Sequence, residues 1–243
     1  MKEDVPPDGR MNFPATRWSL VLATKDGGGA LSALTWLGER YWFPLFAYVR
    51  RRGHSPEDAE DLVQGFFAWL LGEDVVARAE AERGKFRSFL LGCMNNYLAG
   101  EWERAQRMKR GGGATFLSLH DEDIEARFQR ELATPGEPEG DYDRLWAITL
   151  LDRALVRMRA ECEADGNAGR FEVLLPFLQG ARGEVPLADA AAKLGLTLPA
   201  VKSVVHRLRG RFRETIREEV RETVSSDAET QEELRHLFAA IGR

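Results

Sequence analysis

The sequence predicts an all-α protein with two small helical domains joined by an acidic linker, and a helix-turn-helix in the C-terminal domain. Apolar residues recur with a helical period, and no segment alternates with period two for long enough to indicate a strand. A triple-glycine run at 111–113 opens a polar, acidic stretch with scattered proline and glycine, which is typical of a linker.

The first predicted helices follow from capping residues and apolar faces. Thr16 suits the cap of a short helix at 16–24, and a long amphipathic helix at 30–52 contains Pro44, which removes one backbone hydrogen bond. Ser55, Pro56 and two early carboxylates then start a helix with one clear apolar face. Further helices are predicted at 86–107, 141–163, 171–178, 187–194, 199–221 and 228–241.

These elements predict five parts. They are an N-terminal extension at 1–29, a first domain at 30–110, the linker at 111–140, a second domain at 141–224 and a helical tail at 225–243. The linker is expected to contribute little to either domain's fold, although Ile124, Phe128 and Leu132 suit a short helix.

Composition favours a soluble globular protein, with 44% hydrophobic and 30% charged residues. No apolar run approaches the length of a membrane span, and the N-terminus does not resemble a signal peptide, so a cytoplasmic protein without membrane contact is expected. Cys93 and Cys162 have no partners at metal-ligand spacing and are predicted to be buried thiols. No metal and no cofactor are expected.

Charge is strongly segregated although the net charge is −5. Residues 199–217 contain six basic residues and one acidic residue, and a second basic cluster closes the helix at 86–107. The stretch at 119–145 contains nine carboxylates against three arginines. Such segregation indicates separate sites for partners of opposite charge.

The region 187–212 has the spacing of a helix-turn-helix, with Gly195 in the turn. Alanine and leucine form the inner face of the first helix, and valines form that of the second. The residues predicted to face outward, toward a DNA groove, are Lys202, Ser203, His206, Arg207 and Arg209. The alternative is a solvated basic helix within a helical bundle.

Residues 200–209 (AVKSVVHRLR) resemble the recognition helix of the C-terminal domain of extracytoplasmic-function (ECF) sigma factors. The resemblance implies that this helix reads the minus-35 promoter element in the major groove. Val204 stands where many family members carry arginine, so the base preference does not transfer.

Residues 58–64 (DAEDLVQ) resemble the helix with which sigma factors bind the polymerase clamp. The resemblance implies a polymerase-binding set of Glu57, Asp58, Asp61, Leu62 and Gln64. Taken alone, the same pattern also fits an ordinary capped surface helix with acidic residues in its first turn.

Residues 82–90 (ERGKFRSFL), running into Asn95-Asn96-Tyr97, are similar to the loop and helix that read the minus-10 element in this family. Phe86, Phe89, Met94 and Tyr97 are predicted to be core residues. The residues implied to contact minus-10 DNA are Arg83, Lys85, Arg87, Asn95, Asn96, Arg104 and Arg107.

Together these features predict a transcription initiation factor and not an enzyme, since no phosphate loop, nucleophile motif or metal-ligand spacing is visible. The expected partners are core RNA polymerase and promoter DNA, both duplex and melted, with an anti-sigma factor or another regulator as a further candidate. The alternative is a stand-alone helix-turn-helix transcriptional regulator that does not bind polymerase.

Overall fold

Helices make up nearly all of the chain that the structure describes, which confirms the all-α class. The structure is a computed structural model that describes residues 30–72, 85–107, 124–132, 136–179, 186–224 and 226–242, and no strand lies in these ranges. Their helices are α1 (Ala30–Arg51), α2 (Pro56–Gly72), α3 (Phe86–Arg107), α4 (Ile124–Glu131), α5 (Pro138–Ala164), α6 (Ala168–Leu174), α7 (Leu187–Leu194), α8 (Leu198–Arg221) and α9 (Asp227–Ile241). A 3₁₀ turn at Leu175–Phe177 follows α6.

Most helices begin and end near the predicted positions, because local chemistry fixes their ends. The backbone N–H of Asp58 donates to the Ser55 hydroxyl oxygen at 3.1 Å, which confirms Ser55 as the cap of α2. Ser226 caps α9 in the same way, with a 3.2 Å bond from the N–H of Glu229. Pro44 lies inside α1 without ending it. The helix predicted at 16–24 lies outside the described residues.

Helix α5 is central to the fold, because it contacts α1, α8 and α9. Tyr142, Leu145, Trp146 and Leu150 are its largest buried apolar residues. They belong to a core shared with α1, α2, α3 and α4, the C-terminal half of α8, and Leu237 of α9. This larger core therefore joins helices from both predicted domains.

A smaller core lies between α6, the 3₁₀ turn, α7 and the N-terminal half of α8. Its buried members are Leu174, Phe177, Ala190, Ala191, Val201 and Val205. All of them fall within the predicted second domain. The N-terminal half of α8 thus packs in one core and its C-terminal half in the other.

The two cysteines differ in burial. Cys93 in α3 is buried as predicted, whereas Cys162 is only partly buried. The prediction is wrong for Cys162 because the last turns of α5 extend past the larger core, whose buried α5 members end at Ala154.

The acidic stretch contains a helix that packs into the larger core. Phe128 of α4 and the following Leu132 are 7% and 6% exposed. Arg50 pairs with Glu125 at 2.8 Å and lies over the Phe128 ring, 5.1 Å from its centre. The expectation that the linker contributes little to the fold is therefore wrong for residues 124–132. Apolar residues four apart give even an acidic segment a buried face.

A buried charge cluster joins α1 to the C-terminal end of α8. Arg40 is 1% exposed, and its Nη2 donates to Glu219 at 2.8 Å and to Glu222 at 2.7 Å. Arg153 of α5 donates to the same Glu219 oxygen at 3.0 Å. Because an uncompensated buried charge is strongly unfavourable, this cluster holds the end of α8 against α1 and α5.

Replacing Phe128 with alanine should lower the free energy of unfolding by about 3 kcal/mol, because burial is lost and a cavity forms. Phe238→Ala is the matched control, since Phe238 is 55% exposed, and it should change the free energy by less than about 1 kcal/mol. Urea denaturation followed by circular dichroism measures both. Equally small losses would show that α4 is not part of the core.

Candidate nucleic-acid and protein interfaces

The connection between α7 and α8 is a tight turn built on Gly195. This glycine has φ 62°, in the left-handed region, which a residue with a side chain adopts only with strain. The N–H groups of Gly195 and Leu196 donate to the carbonyls of Ala192 and Ala191, and so close α7. Thr197 then caps α8 by accepting a bond from the N–H of Ala200. The turn thus ends one helix and starts the next within three residues.

Small residues bring the two helices together and leave one face of α8 exposed. Ala190 and Ala191 of α7 pack against Val201 and Val205 of α8, and Val204 and Leu208 are partly buried at the edge of the same core. The opposite face of α8 presents Lys202, Ser203, His206 and Arg207, all exposed. Four of the five residues predicted to face outward therefore lie on one solvent-facing surface, here called the α8 basic face.

Arg209 does not belong to the α8 basic face. It is partly buried, and its Nε and Nη2 both donate to the carbonyl oxygen of Phe177, at 3.1 and 3.0 Å. The prediction that Arg209 faces outward is wrong, because its guanidinium closes the carbonyl end of the 3₁₀ turn. Arg209 therefore stabilises the smaller core.

The predicted polymerase-binding residues lie on α2. Glu57, Asp58 and Asp61 are exposed, whereas Leu62 and Gln64 are partly buried. Leu62 packs against the larger core. The exposed carboxylates are thus fixed on a helix that is anchored at its N-terminus by Ser55 and along its length by the core.

Two of these carboxylates line a groove of about 1110 Å³ between α2, α3, the end of α1 and the start of α5. Its acidic lining consists of Asp58, Asp61, Glu101 and Glu139, and its aromatic lining of Tyr48, Tyr97 and Trp102. Arg52 and His54 also line the groove, so the four carboxylates outnumber its one arginine. Trp102 is 65% exposed. A groove with carboxylates around an exposed indole suits a cationic group, since carboxylates attract its charge and an indole face binds it by cation–π contact. This acidic groove extends the α2 face onto α3.

The residues predicted to contact minus-10 DNA are distributed along α3. Asn96 is exposed, whereas Asn95 accepts a hydrogen bond from the Tyr48 hydroxyl at 2.7 Å and another from Arg52. Arg104 and Arg107 lie in the last turns of the helix, and Arg83 lies outside the described residues. Asn95 lines the acidic groove, whereas Asn96 is not among its lining residues.

Lys85 and Arg87, at the start of α3, are paired with carboxylates from other helices. Lys85 Nζ lies 3.1 Å from Glu232 and 3.4 Å from Glu233, both on α9. Arg87 is 6% exposed, and its Nε donates to Glu233 at 3.0 Å while its Nη1 pairs with Asp143 of α5. Both cations predicted to face DNA are therefore neutralised within the chain.

The pKa shifts agree with this pairing. Burial alone would lower the pKa of Arg87, but the hydrogen bond and charge of Glu233, with the charge of Asp143, raise it. The hydrogen bond and charge of Lys85 lower the pKa of Glu232. The charged forms of Arg87 and Glu232 are thus stabilised by their partners in this cluster.

Sequence reasoning missed the carboxylates of this cluster. Glu232 and Glu233 belong to the predicted tail helix, and Asp143 lies at the start of the predicted second domain. The visible signal was the acidic N-terminal half of the tail, which has four carboxylates at 227–233. No local pattern identified which cations they would meet.

Comparison with protein-family models, curated proteins and solved structures finds no match to this chain. Among the described helices, none combines the length and the apolar character needed to cross a membrane.

Arg209→Ala should lower the free energy of unfolding by about 2 kcal/mol, because it removes two charged hydrogen bonds to the Phe177 carbonyl. Arg207→Ala is the matched control on the exposed side of the same helix and should have an effect within about 0.5 kcal/mol. Thermal and urea unfolding measure the difference. Equal stability of the two variants would contradict the structural role of Arg209.

Proposed function

We propose that the chain is an RNA polymerase sigma factor of the ECF type, which binds core polymerase and directs it to promoter DNA in the cytoplasm. The α8 basic face reads the minus-35 element, the acidic groove and the α2 face bind polymerase, and α3 contributes to minus-10 recognition. The proposal assigns no reaction chemistry to the chain.

The α8 basic face is the observation that carries the proposal. A lysine, a serine, a histidine and an arginine share the exposed side of a helix whose other side packs on alanines of α7. A helix enters the major groove in this way when the preceding helix and its turn hold it outward. Lysine and arginine on such a face bind phosphates or the acceptor edges of guanine. The resemblance of residues 200–209 to the family's recognition helix adds the minus-35 element as the target.

The α2 face supports binding to polymerase. Glu57, Asp58 and Asp61 project from a helix that is capped and packed, so little conformational freedom is lost when a basic partner docks. The acidic groove beside this face adds the charge of Glu101 and Glu139 and the exposed ring of Trp102 to the same surface. This arrangement favours a protein partner, because DNA phosphates would be repelled by these carboxylates.

A stand-alone helix-turn-helix regulator would use the α8 basic face in the same way but would have no use for the α2 face. Binding to purified core polymerase therefore distinguishes the two functions. The same measurement also tests which residues carry the contact.

Lys202→Ala and Arg207→Ala should each weaken binding to cognate promoter DNA by about tenfold or more if the side chain contacts a base edge. A phosphate contact would weaken binding to cognate and scrambled DNA alike and reduce the salt dependence. Arg213→Ala is the control, since Arg213 is exposed on α8 beyond the basic face. Fluorescence anisotropy at two salt concentrations provides the comparison. Unchanged affinity on both DNAs would remove these residues from the interface.

Asp58→Lys combined with Asp61→Lys should weaken binding to core polymerase by at least about tenfold, because like charges would then face a basic partner. DNA binding by the α8 basic face should be unchanged. Glu163→Lys with Asp165→Lys is the control, since it reverses two exposed carboxylates at the far end of α5. Native gel shift with purified polymerase and run-off transcription measure the outcome. Full transcription by the α2 variant would refute the assignment of this face.

A further inference from the structure

The cations at the start of α3 and the carboxylates of α9 form one contact that joins the third described helix to the last one. Lys85 meets Glu232 and Glu233, and Arg87 meets Glu233 across 146 residues of sequence. Lys85 and Arg87 are also two of the residues that the sequence assigns to DNA. The tail helix therefore occupies a surface that the proposed function reserves for nucleic acid.

This contact has an outer part that is partly exposed to solvent and an inner part that is buried. The side chains of Lys85 and Glu232 are 27% and 56% exposed, so solvent and salt screen their attraction. Arg87 and Glu233 are 6% and 2% exposed and form the inner part. Asp143, which pairs with Arg87, and His236 of α9, whose Nε2 lies 2.9 Å from Asp143, are 27% and 38% exposed and lie at its rim. A competing anion would therefore meet Lys85 first.

Apolar packing alone does not hold α9 in place. Of its fully described residues, Thr230, Glu233 and Leu237 are the buried ones, while Phe238 is 55% exposed. Leu234, Ala240 and Ile241 are only partly buried against the larger core. A helix with one deeply buried leucine, three partly buried apolar residues and an ion-pair cluster is separable from its neighbours, because charges that leave the contact regain hydration. The acidic residues Asp227, Glu229, Glu232 and Glu233 also give its N-terminal half a negative charge, as a nucleic-acid backbone has.

We propose that α9 is an autoinhibitory helix: its Glu232 and Glu233 occupy Lys85 and Arg87, and single-stranded promoter DNA must displace them to reach α3. That the competing polyanion is promoter DNA rests on the proposed function, whereas the contact of α9 with Lys85 and Arg87 rests on the ion pairs described above. In the free chain the minus-10 surface is closed, and it opens when DNA phosphates replace the two carboxylates on the same cations.

The test compares two full-length variants that raise the net charge equally. Glu232→Gln with Glu233→Gln removes the inhibitory carboxylates and keeps side-chain hydrogen bonding to Arg87. Gln231→Lys with Ala239→Lys adds two positive charges at exposed positions of α9 and leaves the contact intact. The probe is a fluorescein-labelled single-stranded DNA oligonucleotide, and anisotropy at low and high salt gives its affinity. Hydrogen exchange of the α9 amides reports release of the helix.

The glutamine variant should bind the oligonucleotide about tenfold more tightly than the wild type and exchange its α9 amides faster, whereas the lysine variant should stay within about threefold of the wild type. Adding Lys85→Gln to the glutamine variant should abolish the gain. The proposal is overturned if both variants gain affinity equally, if neither does, or if the gain survives Lys85→Gln.

A folding defect in the glutamine variant would not prevent the test. Glu232 is exposed, so Glu232→Gln alone preserves the buried pair, and it should still raise the affinity by about threefold, whereas Gln231→Lys alone, which adds the same charge, should leave the affinity unchanged. Binding to core polymerase is measured for every variant in parallel. If neither the wild type nor any variant binds polymerase, the proposed function is refuted. If the chain binds polymerase but the α9 variants bind the oligonucleotide as the wild type does, only autoinhibition is refuted.

Discussion

The buried guanidinium of Arg40 determines how the two ends of the described chain meet. It lies inside α1 with 1% exposure, and the carboxylates that compensate its charge, Glu219 and Glu222, come from the end of α8. Burial and the charge of Arg153 lower the pKa of Arg40, and the two glutamates oppose that shift. Glu219 and Glu222 fix the end of α8 beside Arg40. Because α9 starts five residues after Glu222, it lies against α3 and α5.

The same geometry explains why α5 is central. Its buried face meets α1, while Arg153 on α5 shares the Glu219 oxygen that Arg40 uses, so one acid in α8 is bound from two helices. A buried ion pair of this kind contributes more to the choice of one arrangement than to net stability, because desolvation offsets much of its attraction. The apolar residues of α5 stabilise the larger core, and the charges select which helices enclose it.

Local sequence patterns predicted the helices well and their long-range partners poorly. The bounds of α3 and α7 are those predicted, because an apolar period marks both helices and the Gly195 turn ends α7. Ser55 is the cap that its position before Pro56 indicated. The pairing of Arg87 with Glu233 was not predictable, because the sequence pattern of one helix does not determine which distant carboxylate pairs with its arginine. The prediction for Arg209 was wrong for the same reason. Helical spacing placed its side chain near the outward face, but the side chain instead donates to the carbonyl oxygen of Phe177, 32 residues away.

The proposed function requires a second arrangement of these helices. The promoter elements named minus-10 and minus-35 lie roughly 25 base pairs apart, which is about 85 Å of duplex at about 3.4 Å per base pair. A compact chain of 243 residues has a radius of gyration of about 18 Å, so it does not span both elements while α8 and α9 stay packed on α1 and α3. Reading both therefore separates Arg40 from Glu219 and Glu222, and Arg87 from Glu233. The ion pairs favour such an opening, because each separated charge is rehydrated or paired with polymerase or DNA. The burial of Ile216, Val220 and Leu237 in the larger core opposes it, so binding to polymerase and DNA must also compensate for exposing these residues.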